Sequence, residues 1–148
     1  MSTFTARIAW SRTTPDFEPG TYDRSHVVTY GSGVEVPASS APDFKGDATR
    51  MNPEEALVGA LSSCHMLTFL AVAARKKLVV ERYDDAAEGT LAKNAEGRLA
   101  VTRVVLRPRV TFASPVGPDE VAQLHAQAHQ GCFIANSVKT DVVVEPAG

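Results

Sequence analysis

The chain has 148 residues, enough for one domain with a sizeable core. Its 44% hydrophobic and 22% charged residues are ordinary for a globular protein. A net charge of −2 and a pI near 6.1 leave no basic stripe to neutralise phosphates, so nucleic acid is not expected as a partner.

The opening MSTFTARIAWSR lacks the charged segment and apolar run of a secretory signal, and a reducing cytoplasm is the expected location. Phe4, Ala6, Ile8 and Trp10 alternate with polar residues and predict a strand within 3–12. His26–Tyr30 and Val34–Val36 flank Gly31-Ser32-Gly33, which predicts a hairpin. Residues 37–51 are rich in Pro, Ser, Gly and Asp and read as a long loop. Asn52 then suits an N-cap, Pro53 suits the first helical position, and Glu54 and Glu55 suit the positive end of a helix dipole. The helix is expected to run to about Lys76, closed by the cations Arg75, Lys76 and Lys77. A strand over 79–91, a turn at 94–97 and a long strand over 98–112 follow, with Pro108 marking a bulge or an edge. A second helix over 118–130 stops at Gly131, 133–138 can hold a short third, and 140–145 is a last strand. Many strands with segregated helices make the class α+β.

Residues 56–74 carry no charged side chain, which meets the crude length of a membrane span. Ser62, Ser63, His65, Thr68 and the many alanines, with no aromatic belt, argue instead for a helix buried by protein, and no membrane partner is expected. One small sheet covers only one side of such a helix. A homodimer with this helix in its interface would cover the rest.

Cys64 lies inside this helix, and Cys132 is the chain's one other cysteine. Two readings of Cys64 stand. A small buried hydrophobe is the ordinary one. A reactive thiol needs a nearby cation, because Cys64 is about three turns into the helix, beyond the reach of its dipole. In a reducing compartment two cysteines are rarely a permanent structural bridge. His65 diverges from Cys64 by about 100° on a helix and should not touch it. His125 and His129 have the i,i+4 spacing of metal ligands but read as an exposed, unliganded pair, and a zinc site of Cys64, Cys132 and His65 lacks CxxC spacing. No metal or cofactor is expected. Glu54 and Glu55 are first-turn residues whose functional reading needs an arginine, with Arg7, Arg12, Arg24 and Arg50 upstream.

The words Asn52-Pro-Glu-Glu-Ala-Leu-Val-Gly-Ala-Leu-Ser-Ser-Cys64-His-Met and Cys132-Phe-Ile-Ala-Asn-Ser137 resemble the OsmC/Ohr family, and so does the order of elements over nearly the whole chain. The resemblance implies a single domain over 1–148, with antiparallel sheets wrapped around central hydrophobic helices in an intertwined homodimer. It also implies a cysteine-based peroxidase for organic hydroperoxides, with hydrogen peroxide as a further substrate. On that analogy Cys64 is the peroxidatic cysteine, and Cys132 resolves it into a disulfide that a dithiol reduces. Glu54 matches the family glutamate, and Arg24 in Tyr22-Asp-Arg-Ser-His26 matches the family arginine. The chain departs from the pattern with His65 where Phe usually follows the cysteine, and it lacks Gly-Gly-Arg-Asp-Gly, which places it on an OsmC-like side branch. Glu54 and Cys64 are ten residues apart, about 15 Å along a helix, so a site using both is expected to be shared between subunits. The alternative is a non-catalytic small-molecule or thiol-binding module on the same dimeric fold.

Overall fold

The computed structural model describes residues 1–147. Eight strands and two helices follow in the order β1(Ala6–Ala9), β2(His26–Tyr30), β3(Glu35–Ala38), α1(Pro53–Arg75), β4(Val80–Asp85), β5(Glu88–Lys93), β6(Leu99–Leu106), β7(Pro108–Phe112), α2(Pro118–Gly131) and β8(Asp141–Val144), which is an α+β architecture. The chain divides into two units, Met1–Ala56 and the residues from Leu57 on.

In the first unit β1, β2 and β3 form an antiparallel sheet in sequence order. The β2–β3 turn closes through Gly33, whose φ of 90° suits a residue without a Cβ. The expected loop over 37–51 is tied down: Ala38 bridges Met51, and Ser39 N–H donates to Met51 O at 2.8 Å. The Asn52 side-chain oxygen then accepts from Glu55 N–H at 2.9 Å, the capping bond that its position suggested.

The second unit holds most of α1, and its start and stop explain its length. At the C-terminal end Lys77 takes φ 60°, Leu78 N–H donates to Ala73 O at 2.9 Å, and Lys77 N–H donates to Ala74 O at 3.0 Å. These two bonds make the Schellman closure, here with lysine where glycine is usual.

Two predicted strands are each broken in two. The 79–91 stretch splits between β4 and β5, and the 98–112 stretch splits at Arg107 between β6 and β7. Both halves of each stretch go to different sheets, β4–β7 and β5–β6–β8. Asp85 is the reason. Its carboxylate accepts Arg107 N–H at 2.6 Å, which takes that amide out of the ladder, and Pro108 has no amide hydrogen to offer. The sheets are also not wholly antiparallel as expected: β8 pairs with β6 in parallel, Arg103 opposite Asp141 through Leu106 opposite Val144.

The core of this unit has two clusters along α1. Leu61 packs with Val104 and Leu106 over the β5–β6–β8 sheet. Phe69, Val72 and Ala73 pack with Leu124 and Ala128 of α2, bordered by Tyr83, Val110 and Phe112 of the β4–β7 sheet. α1 is long and apolar enough to cross a membrane, yet this face of it is buried against the rest of its own chain. The opposite side is not covered: Gly59, Ala60, Ser63, Leu67, Ala71 and Ala74 are exposed, Leu67 by 59%.

Candidate active site

Cys64 lies on α1 between the two core clusters and is half-buried, whereas Cys132 is buried at the residue that ends α2. Both are free thiols. They are neighbours: burial pushes the Cys132 thiol above its ordinary range, and the nearby Cys64 pushes it the same way. Against these, Ala135 N–H donates to Cys132 Sγ at 3.4 Å and pulls the pKa down. That amide opens a short 3-10 turn, Ala135–Ser137, where the sequence suggested a short helix. Cys132 therefore remains protonated at neutral pH, beside a sulfur that solvent reaches more readily.

The approach of the two sulfurs depends on how α1 meets the end of α2. Thr68 Oγ1 donates to Cys64 O at 2.9 Å, and a Cβ placed on Gly131 would lie 3.1 Å from Thr68 Cγ2. The end of α2 thus approaches the second half of α1 closely just before Cys132.

His65 turns away from Cys64 into the core, as the helical angle requires. It meets His125, Nε2 to Nδ1, at 3.0 Å. The ring planes differ by only 6° and the centroids are 5.3 Å apart, which fits coplanar rings joined edge to edge by that bond. This corrects the expectation for His125: it is 4% exposed and not part of an exposed pair, although His129 is exposed. Among the described residues no group of three or more His, Cys, Asp or Glu could hold a metal ion. A signal for the pair was present in the sequence, since Leu61, His65 and Phe69 form an i,i+4 stripe that points one way.

Burial lowers the pKa of His65 to about 4, helped by His125 and His129, and burial also lowers that of His125, against the pull of Asp85. Both rings are neutral at pH 7, one nitrogen donating and the other accepting. Because the folded state disfavours the proton, the unfolded chain takes it up first on acidification. Stability is therefore full above the ordinary pKa of 6.5 and falls as pH drops toward about 4. The loss expected from His65 is of order 2 kcal/mol. Urea midpoints at pH 7 and pH 5 measure it. His65→Leu should shrink the difference, and an equal difference in both proteins would show that the pair is not its cause.

In the first unit Arg24 donates to Tyr22 O at 2.8 Å and Pro19 O at 2.7 Å, and its guanidinium carbon sits 3.9 Å from the centre of the Tyr22 ring. Trp10, Phe17 and Tyr22 cluster beside it, and these residues line an apolar cavity of about 310 Å³ with Ile8 and His26. Arg50 is held by Ala38 O and His26 O, and Arg12 by Thr14 O and Pro15 O. Among the described residues none of Arg7, Arg12, Arg24 and Arg50 forms an ion pair with a carboxylate. Glu54 lies in the first turn of α1, and its Oε2 is buried without a hydrogen-bond partner.

Residues 46–147 match the OsmC-like protein family. An OsmC-like protein of unknown function from Vibrio cholerae is 42% identical, with a TM-score of 0.94 over 99% of this chain and 100% of that one. The chain belongs to the OsmC-like family. The uncharacterized protein YmaD of Bacillus subtilis is 27% identical over 127 residues, 83% of this chain and 84% of its own. The fold also matches an organic hydroperoxide resistance protein OsmC from Legionella pneumophila, at 19% identity and a TM-score of 0.78 over 100% of this chain and 98% of that one. Of the residues that the family resemblance singled out, Cys64 and Cys132 are neighbours, while Arg24 is seated on Tyr22 and Pro19 and, among the described residues, makes no ion pair with Glu54. Sequence reasoning missed the His65–His125 bond and the seat of Arg24 over Tyr22, both of which depend on which faces meet.

Proposed function

We propose that the protein is a thiol peroxidase for organic hydroperoxides, with hydrogen peroxide as a further substrate. The Cys64 thiolate attacks the outer peroxide oxygen, the O–O bond breaks, and the organic alkoxide leaves and takes a proton as the alcohol. Cys64 becomes a sulfenic acid. The Cys132 sulfur then displaces its hydroxyl, giving a Cys64–Cys132 disulfide and one water. A dithiol reductant, small or lipoyl-type, exchanges with that disulfide and restores both thiols. Arg24 is the cation that favours the Cys64 thiolate, and Glu54 is the carboxylate that anchors the arginine. The reaction needs no metal or cofactor and suits a reducing cytoplasm.

The observation that carries this reading is the placing side by side of two free thiols of unequal exposure, the deeper one with its pKa raised by burial. Arg24 without a carboxylate and Glu54 with a buried unpartnered oxygen support their roles, and the organic hydroperoxide resistance protein of Legionella supports the substrate class. The exposed apolar side of α1 supports a homodimer, with Glu54 serving the site of the second copy. A non-catalytic binding module is the second reading, favoured by the aromatic cavity beside Arg24.

Stoichiometric cumene hydroperoxide decides between them. The expected result is loss of both thiols and a single internal disulfide by peptide mass mapping. Two thiols still titratable after the peroxide is added would leave only the binding module.

A further inference from the structure

The hydrogen bond between His65 and His125 lies between the two helices that carry the cysteines. His65 follows Cys64 on α1, and His125 is seven residues, about two turns, before Cys132 at the end of α2. Its 3.0 Å length and near-coplanar rings allow little sliding of one helix along the other. Phe69 packs against His125 with ring centroids 4.5 Å apart, which braces the bond from the core side. The second fixed point is the close approach of Gly131 to Thr68, one turn beyond Cys64, where an added Cβ would lie 3.1 Å from Thr68 Cγ2. Two fixed points on one pair of helices set both their register and their spacing. What they position is the Cys132 sulfur.

We propose that His65 and His125 are positioning residues which, with the Gly131–Thr68 contact, hold Cys132 against Cys64 and govern closure of the disulfide. The inference rests on the peroxidase reading above and says which residues make its second step efficient. That step competes with a second peroxide. The sulfenic acid is either displaced by Cys132, releasing water, or oxidised by another hydroperoxide to a sulfinic acid with release of another alcohol. Closure within one chain wins through effective concentration, and loosening the helices erodes that advantage.

The experiment follows the two fates of Cys64 by mass after graded cumene hydroperoxide, in the full chain and in His125→Leu, His125→Gln and Gly131→Ala. Trapping with dimedone measures the first oxidation separately. The expected result for His125→Leu is first oxidation at the wild-type rate, with over-oxidation setting in at about tenfold less peroxide. Gln, which keeps a hydrogen-bonding group, should restore much of the difference. Gly131→Ala is the control against misfolding, since its Cβ displaces Thr68 by only tenths of an ångström, and it should shift the partition the same way with unchanged circular dichroism. Disulfide closure driven by diamide, which needs no peroxide, separates the two claims. A wild-type chain inert to peroxide but closing with diamide faster than its variants would sink the peroxidase reading and keep the positioning role. Equal partition and equal diamide closure in all four proteins would overturn the positioning role.

Discussion

Cys64→Ser is expected to lower dithiol-dependent reduction of cumene hydroperoxide by at least about a thousandfold, because the hydroxyl that replaces the thiol is not ionised at neutral pH and no other group on the chain takes its place. Cys132 cannot substitute. It is buried, and both its burial and its neighbour keep the proton on its sulfur. Cys132→Ser should behave differently. The first equivalent of peroxide still oxidises Cys64, but turnover stops at a sulfenic acid with no internal thiol to close on, and over-oxidation follows. Initial rates of peroxide loss, with the mass of each variant after one equivalent, check both expectations. Wild-type turnover no better than that of Cys64→Ser would remove the enzyme reading.

The largest effect on stability is expected from Phe69→Ala. Phe69 is fully buried and packs with Val72, Ala73, Leu124 and Ala128. Its ring also lies 5.5 Å from Tyr83, 6.3 Å from Phe112 and 4.5 Å from His125, centre to centre. Removing it opens a cavity where α1, α2 and the β4–β7 sheet meet, which costs about 3–5 kcal/mol. That is a large share of the roughly 5–15 kcal/mol that holds a domain folded. Urea unfolding measures the loss. A decrease below about 1 kcal/mol would mean that the neighbours collapse into the space.

The element list was legible in the sequence because local chemistry fixes it. Asn52, Pro53 and the two glutamates mark where α1 begins, and the apolar run with its terminal cations marks how far it goes. Alternation located the strands, but not which strand pairs with which. The breaks at Ala86–Ala87 and Arg107 were not legible, since they depend on Asp85 reaching across to the Arg107 amide 22 residues away. The parallel partner of β6 was likewise a matter of where α2 and the short turn after Cys132 deliver the last strand.

The candidate site divides along the same line. The sequence by itself determined which residues are candidates for chemistry: two cysteines, a first-turn glutamate, an arginine near a tyrosine, and a family pattern whose resemblance links them. Residue type and short spacing carry that information. Only the tertiary structure decided that the two cysteines are neighbours, that Cys132 is the deeper of them, and that His125 faces His65 and not solvent. Each of these results from two segments far apart in sequence packing face to face. The energies that select such a packing are summed over many buried contacts, so no single residue announces them in advance.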